Sequence, residues 1–477
     1  MIKNWLSRYN LSYPKSLVYM LQASEYNIRD YLAWYQRTKN FSRVEQRKRL
    51  ARTPKAILLL LISWAIVLAL VGAAISVLWL GVSPSKYIFF FLILLLLPYV
   101  LAYLIVVFCF IIRVVIQQPI EYLIISRARQ TLKAHNAVKI GIAGSFGKTT
   151  MREILKSVLS EEKKVAAPPN NHNTLLGISR FAKTLKGDED VLIFELGEYY
   201  PGDVRKLCDL TQPDIGVITG INEAHLQKFK SLERTVKTIY ELADYLGEGP
   251  VYVNAENVLA RNNARPGHIL YDRKQIGNWK IKNLKTDLTG TLFTLLKNDI
   301  KLELKSALLG LHQVGPLAVA VDLALSLGLS HKQVKSGINK TKPFDHRLEP
   351  KTDNTGVIIL DDSYNGNPDG VRAVIKFLAC LKNRQRFYIT PGLVGMGKRT
   401  EIIHKQIGKD LAKAKIEKVI LIKNSVTSYI EKGLKQEGYD GEILWFDDAL
   451  AVFAALPHLT VKGDVVLLQN DWPDQYQ

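Results

Sequence analysis

Ten residues, Gly141-Ile-Ala-Gly-Ser-Phe-Gly-Lys-Thr-Thr150, hold the densest chemistry in this sequence. The apolar run Val138-Lys-Ile-Gly-Ile-Ala143 reads as a buried strand. Gly144 and Gly147 allow a tight turn, and Met151–Leu159 has helix periodicity. A glycine-rich turn from strand to helix aims main-chain N–H groups and a helix N-terminus at one spot, which suits a phosphate. Lys148 would reach the terminal phosphates and the Thr149 hydroxyl would hold Mg²⁺. The strict pattern G-x-x-x-x-G-K-[ST] is broken at its first glycine, where Ile142 stands; G-x-x-G-K-T-T remains. Gly144, Ser145, Phe146, Gly147, Lys148, Thr149 and Thr150 are thus expected to form a nucleoside triphosphate site.

Other polar residues fall where such a site could use them. Glu195 ends the apolar run Val191-Leu-Ile-Phe194 and precedes Gly197, which sets its carboxylate beside the phosphate loop. Mg²⁺ prefers oxygen ligands, so Glu195 and Thr149 are natural partners. His225 follows the run Ile215-Gly-Val-Ile-Thr219 by a short loop, as a further ligand or an orienting group; a loop histidine is otherwise an ordinary polar residue. Asn173 and Thr174 close the polar loop Pro168-Pro-Asn-Asn-His-Asn-Thr174. Asp362, Asn365 and Asn367 lie in a turn after Ile358-Ile-Leu-Asp361, where they could meet a ribose or base across a cleft. Asp and Asn also favour turns and caps for purely local reasons. Arg347 could reach phosphate in the same cleft, although a lone Arg is ordinarily solvated.

The elements that must position these residues alternate. Strands are expected at 138–143, 191–196, 214–219 and 250–254, with helices near 150–160, 174–185, 203–210 and 231–246. That alternation implies an α/β fold, a P-loop domain with a mostly parallel sheet covered on both faces. Residues 280–305 read as antiparallel strands, followed by two helices over 313–340. Phe344-Asp-His-Arg-Leu-Glu-Pro350 reads as a linker. A second, Rossmann-like α/β unit then runs to the end, with strands near 356–361, 386–390, 418–422, 442–446 and 464–468. Open α/β sheets bind ligands outside the carboxyl ends of their strands, where several of these polar clusters fall.

The 477 residues carry 64 Lys+Arg against 44 Asp+Glu, a net charge of +20. The excess is uneven: residues 1–55 hold twelve basic side chains and only Glu25, Asp30 and Glu45. Ala56–Leu80 is continuously apolar. After the turn Gly81-Val-Ser-Pro-Ser-Lys86 comes a second apolar span, Tyr87–Ile112, and Lys86 is the only charge between Ala56 and Ile112. Both spans are long enough to cross a bilayer core, which turns the basic block from a nucleic-acid reading to an anionic lipid surface. Basic residues flank the pair on its outer sides, so both ends are expected to be cytoplasmic. The aromatic stretch Tyr19, Tyr26, Tyr31, Trp34 and Tyr35 has two readings, an interfacial helix with rings at headgroup level or a small helical bundle. Cys109, Cys208 and Cys380 are far apart and odd in number, so no disulfide framework is implied. The resulting division is 1–55 basic helical segment, 56–113 transmembrane hairpin, 114–136 helical linker, 137–343 nucleotide-binding domain and 344–477 C-terminal domain.

Over about residues 137–477 the chain resembles the Mur ligase family of ATP-dependent amide ligases. The matching stretches are Gly141–Thr150, Asn173-Thr-Leu-Leu-Gly177, Phe194-Glu-Leu-Gly197, Thr219-Gly-Ile-Asn-Glu-Ala-His-Leu226, Gly310-Leu-His312, His346-Arg347 and Asp361-Asp-Ser-Tyr-Asn-Gly-Asn-Pro368. The resemblance implies ATP and Mg²⁺, and a substrate carboxylate activated as an acyl phosphate before an amine attacks it. It points to the branch that joins D-alanyl-D-alanine to a uridine-linked muropeptide of cell-wall synthesis. It implies catalytic roles for Lys148, Glu195 and His225, with Thr149, Glu195 and His225 as metal ligands. Arg347, Asp362 and Asn365 would close on the nucleotide, and Asn173 and Thr174 would face substrate. Four departures stand out. Ile239 occupies the position of a carbamylated lysine. Gly310-Leu-His-Gln-Val-Gly-Pro316 alters the G-x-H-N-x-x-N adenine motif, and Gly395 replaces a usual glutamate. The apolar hairpin stands where a uridine-binding domain is usual. These departures keep two other expectations open: a ligase of the same type acting on a lipid-linked acceptor at the inner membrane, and a non-catalytic nucleotide-binding scaffold.

Overall fold

The computed structural model describes residues 2–41, 50–79, 84–169, 172–222, 229, 231–363, 366–394 and 396–469. His225 and Asn365 lie outside the described residues, as do residues 81–83, 395 and 470–477. The chain divides into two compact units, Met1–Leu123 and Ile124–Gln477.

The first unit is helical. Helices Pro54–Trp79 and Ser85–Ile112 are apolar all round, and each is long enough to cross a membrane. Leu61, Leu68, Ile75, Phe91 and Leu95 on them are exposed. Pro98 lies inside the second helix, where it removes one backbone donor. Helices Tyr13–Ala23 and Ile28–Arg37 pack on this pair through Tyr13, Leu17, Met20, Tyr31 and Tyr35, all buried with Leu59, Leu101 and Ile105. The Tyr13 and Tyr31 hydroxyls donate to the carbonyls of Pro98 (2.9 Å) and Ala102 (3.0 Å). Of the two readings of the aromatic stretch, the side chains follow the bundle: these rings are core.

The second unit holds two sheets. Strands β1 (Val138–Ala143), β2 (Val165–Ala166), β3 (Val191–Glu195), β4 (Ile215–Ile218), β5 (Val251–Asn254), β6 (Ile269–Tyr271), β7 (Gln275–Ile276), β8 (Trp279–Asp287), β9 (Gly290–Lys297) and β10 (Ile300–Ser306) form one sheet in the order 10-9-8-7-6-5-4-1-3-2. It is parallel from β2 to β6 and antiparallel from β6 to β10. The chain leaves β1 for β3 on one side and returns to β4 on the other. That makes the carboxyl end of β1 a topological switch point, where an open α/β sheet has its crevice. Both faces are covered. Helices Lys148–Leu159, Val314–Ser326 and His331–Asn339 pack on one, and helices Leu175–Ala182, Asp203–Thr211 and Leu232–Leu246 on the other. Burial on both faces explains why β1, β3 and β4 read as continuous apolar runs. The short strands β2, β6 and β7 carried too few residues to be anticipated.

The second sheet has strands β11 (Glu349–Thr352), β12 (Ile358–Asp362), β13 (Arg386–Thr390), β14 (Lys418–Ile422), β15 (Glu442–Phe446) and β16 (Val465–Gln469), in the order 11-12-16-13-14-15. All pair in parallel except β11. The stretch expected to link the two α/β parts therefore runs into this sheet: Glu349 and Pro350 already belong to β11. A proline is tolerated there because β11 is an edge strand, and the missing N–H breaks no ladder.

Candidate functional site

The phosphate loop is built as its residues dictate. Gly144 has φ +147° and a Cβ there would lie 2.2 Å from the Thr219 hydroxyl, so only glycine fits. Gly147 sits in the left-handed region (φ 78°) at the cap of helix Lys148–Leu159. The loop is clamped from β4: Ser145 N–H donates to the Gly220 carbonyl at 2.8 Å, and the Thr219 hydroxyl donates to the Phe146 carbonyl. The N-terminal N–H groups of this helix are left for a ligand.

Parallel register places Glu195 beside Ile142, one strand from the loop. Its Oε2 accepts from the Thr149 hydroxyl at 3.1 Å, and its Oε1 is ion-paired with Arg152 Nη1 at 2.7 Å. The Arg152 guanidinium also bonds Glu153 and the Pro168 carbonyl. Lys148 Nζ donates to the Gly144 carbonyl and to both oxygens of Glu198, at 3.0 and 2.8 Å. Glu195 is 5% and Glu198 3% exposed, so two carboxylates lie buried within reach of one phosphate loop. Burial raises the pKa of each, while Arg152 and Lys148 for Glu195, and Lys148 for Glu198, pull it back. The Thr149 hydroxyl and Glu195 carboxylate are adjacent hard oxygens, the donor types Mg²⁺ takes. Among the described residues, which leave out His225, no group of three His, Cys, Asp or Glu is placed to hold a metal. Asn173 accepts from Gly197 N–H at 3.0 Å through its main chain, two positions beyond Glu195. Thr174 is exposed and caps helix Leu175–Ala182, accepting from Gly177 N–H at 3.2 Å.

A cavity of about 520 Å³ opens beside the loop. Phe146, Gly147 and Thr150 form one wall, Asn254, Asn257, Arg273, His312 and Gln313 a second, and Arg347, Asp362 and Asn367 of the C-terminal domain a third. Asp362 and Gln469 end the adjacent strands β12 and β16 in register. The Asp362 carboxylate accepts from Leu348 N–H (3.1 Å) and from Gln469 Nε2 (2.7 Å), and burial raises its pKa. Burial of the His312 ring, with the Arg273 guanidinium nearby, pushes its pKa down to about 4, so the imidazole is neutral. Asn222, just beyond the clamp at Thr219, donates to Asn367 Oδ1 (3.1 Å) and Asp369 Oδ2 (3.2 Å) and ties the two domains together. Ile239 is fully buried in the core, on the other face of the sheet from helix Lys148–Leu159, and Lys237 is exposed; neither lines the cavity.

The structure thus brings Gly144–Thr150 and Glu195 together around one point and sets Arg347 and Asp362 on the cavity they border. Sequence reasoning missed Glu198, Arg152 and Asn222. Arg152 could have been found, since positions 149 and 152 share a helix face. Glu198 follows Glu195 by three residues, but nothing in its spacing announces a bond to Lys148.

Comparison with known proteins gives the same outline. The sequence profile of the Mur ligase middle domain matches residues 142–324, and that of the Mur ligase glutamate ligase domain matches residues 346–469. The chain is similar to a UDP-N-acetylmuramoyl-tripeptide–D-alanyl-D-alanine ligase of Mycobacterium tuberculosis, 29% identical over 294 residues, covering 59% of this chain and 58% of that one. The Bacillus subtilis protein of the same name is 23% identical over 340 residues, covering 69% and 72%. The chain therefore spans less than two thirds of the mycobacterial relative. Among solved structures, MurF ligase from Thermotoga maritima in complex with ADP aligns with TM-score 0.66 and 22% identity, over 74% of this chain and 80% of that one. MurF from Acinetobacter baumannii aligns at 0.64 and 20%, over 73% and 77%. At that identity the structural likeness establishes the fold of the second unit.

Proposed function

The chain belongs to the Mur ligase family through residues 142–324 and 346–469, and from that premise we propose that it is an ATP-dependent amide ligase of peptidoglycan precursor synthesis. The observation that carries the proposal is the Thr149 hydroxyl on the Glu195 carboxylate, beside Lys148, at a helix N-terminus that borders a cavity shared with Arg347 and Asp362. A substrate carboxylate attacks the γ-phosphorus of ATP, the bond to ADP breaks, and an acyl phosphate forms. An amine then attacks the acyl carbon, phosphate leaves, and the new amide nitrogen sheds a proton. The protein forms no bond in either step; it positions groups and stabilises charge. The loop N–H groups and the Lys148 ammonium take the phosphates, and Arg347 adds positive charge from the C-terminal domain. Thr149 and Glu195 would hold Mg²⁺, which when bound would neutralise charge on the phosphate oxygens. Asn222 joins the two domains across the cleft.

The relatives' names motivate the substrate proposal: uridine-linked muropeptide tripeptide as acceptor and D-alanyl-D-alanine as amine. The two apolar helices motivate the location, a two-span anchor in the cytoplasmic membrane with the ligase domains on the cytoplasmic side. They also favour a second reading, in which the acceptor is lipid-linked. The test is ADP release by detergent-solubilised full-length protein offered D-alanyl-D-alanine with either acceptor. Release that needs both the uridine-linked tripeptide and the dipeptide supports the first reading. Release only with the lipid-linked acceptor replaces it with the second. ATP binding without release under any condition removes the ligase proposal and leaves a nucleotide-binding scaffold.

A further inference from the structure

We propose that Glu198 makes nucleotide binding depend on Mg²⁺, by holding Lys148 away from the phosphate site until a metal-bound nucleotide displaces it. The inference rests on the nucleotide reading of the loop and concerns a residue that reading did not use. An ammonium group has three N–H donors. In Lys148 three acceptors are already met, the Gly144 carbonyl and the two Glu198 oxygens. Gly147 and Thr150, on either side of Lys148 in the chain, line the cavity, but Lys148 does not. A phosphate therefore gains Lys148 only by displacing one of these three acceptors, and two of them belong to Glu198.

The consequence is electrostatic. Glu198 is 3% exposed, and removing its counter-charge leaves a buried carboxylate, which is strongly unfavourable unless another cation arrives. The charges acting on Glu198 are Lys148, attractive, and Glu195, repulsive. Glu195 keeps Arg152 as its partner at 2.7 Å. A metal-free triphosphate would take Lys148 for itself and bring its own negative charge against the uncovered Glu198. A triphosphate carrying Mg²⁺ brings the missing positive charge with it, in reach of the carboxylates at 195 and 198. Lys148 can then move and no buried charge is stranded. Glu198 in this account is a positioning residue that acts through Lys148.

The test is equilibrium binding of a non-hydrolysable ATP analogue to the detergent-solubilised full chain, with excess Mg²⁺ and with chelator, for wild type, Glu198→Gln and Glu198→Asp. The quantity read is the ratio of the two dissociation constants, with no turnover involved. Wild type is expected to bind at least about tenfold more weakly without metal. Glu198→Gln keeps the shape and removes the charge, so metal-free binding should tighten and the ratio should fall toward one. Glu198→Asp keeps the charge but draws it back from Nζ, so its ratio should lie between. A Glu198→Gln ratio equal to that of wild type overturns the inference and leaves the nucleotide reading standing. If the Gln variant does not fold, an unchanged ratio in the Asp variant overturns it equally. Wild type that binds no analogue in either condition overturns the nucleotide reading itself.

Discussion

The two walls of the cleft each bury carboxylates, and they satisfy them differently. On the phosphate-loop wall, Glu195 and Glu198 are matched by side-chain cations, Arg152 at 2.7 Å and Lys148 at 2.8 Å. On the C-terminal wall, Asp362 accepts hydrogen bonds from neutral donors, the Leu348 N–H and the Gln469 amide, with the Arg347 charge acting on it as well. A long cationic side chain can swing to a phosphate and leave its carboxylate to a metal. A backbone N–H cannot move, and a β16 amide held in register hardly can. The first wall is therefore built to exchange partners when ligand arrives, and the second to stay as it is. Substitutions on the first should change binding and turnover in addition to any loss of folding. Those on the second should act chiefly on folding.

The largest break is expected at Lys148. Lys148→Ala removes the ammonium proposed to meet the γ-phosphate, and ADP release should fall at least about a thousandfold, in line with loss of a transition-state charge partner. Because the substitution also leaves buried Glu198 without its counter-charge, its melting temperature should fall as well. A variant that still turned over at a tenth of the wild-type rate would move the γ-phosphate elsewhere in the cleft. Glu195→Gln comes next. The amide still accepts from Thr149 but is a poorer Mg²⁺ ligand, so the Mg²⁺ concentration giving half-maximal ADP release should rise about tenfold or more. An unchanged Mg²⁺ profile would remove Glu195 from the metal site.

The difference between the walls also marks what could be read from sequence. Glycine and lysine spacing at 144–150 was legible because main-chain geometry is local: Gly144 is required by the Thr219 hydroxyl and Gly147 by its own φ. Strands β1, β3, β13 and β14 were legible because burial on both faces leaves a run of apolar residues with sharp ends. The exchangeable pairs were not. Lys148 and Glu198 are 50 residues apart, and only the parallel pairing of β1 with β3 brings them together. The Asn222 contacts span 145 and 147 residues and join two domains, so no local pattern encodes them. Aromatic content near the N-terminus was legible, yet whether Tyr31 faced lipid or protein depended on a partner at Ala102, 71 residues away.

Asp362 sharpens the comparison through pH. Asp362→Ala strands two donors and should destabilise the second unit by about 2–3 kcal/mol, whereas Asp362→Asn should cost about 1, because its amide oxygen still accepts from the Leu348 N–H. The folded pKa of Asp362 is raised above its ordinary 3.8. A raised carboxyl holds its proton longer in the folded state, so wild type loses stability as pH climbs from about 3.8 through the folded pKa. The Asn variant does not titrate there. Its deficit in melting temperature relative to wild type should therefore be larger at pH 4 than at pH 7. A deficit that grew toward neutral pH would mean that the folded protein favours the ionised form, and the fixed wall would then resemble the exchangeable one.

The smallest effect is expected at Asn222, where the two walls meet. Its side-chain amide donates to Asn367 at 3.1 Å and Asp369 at 3.2 Å, and Asn367 in turn caps helix Pro368–Cys380 by accepting from Gly370 N–H at 3.0 Å. Asn222→Ala removes two neutral or singly charged hydrogen bonds, together about 1–2 kcal/mol, but leaves the Asn367 cap and the phosphate-loop clamp intact. Its cost should appear as a weaker hold of the C-terminal domain on bound nucleotide, a three- to tenfold rise in KM for ATP with kcat changed less. Asn222→Asp keeps the size but sets a carboxylate against Asp369, so its KM should rise further than that of the Ala variant. If Ala and Asp behaved alike, the contact would be incidental to closure. If Ala lowered kcat and left KM alone, Asn222 would be acting on the acyl phosphate step rather than on the joining of the walls.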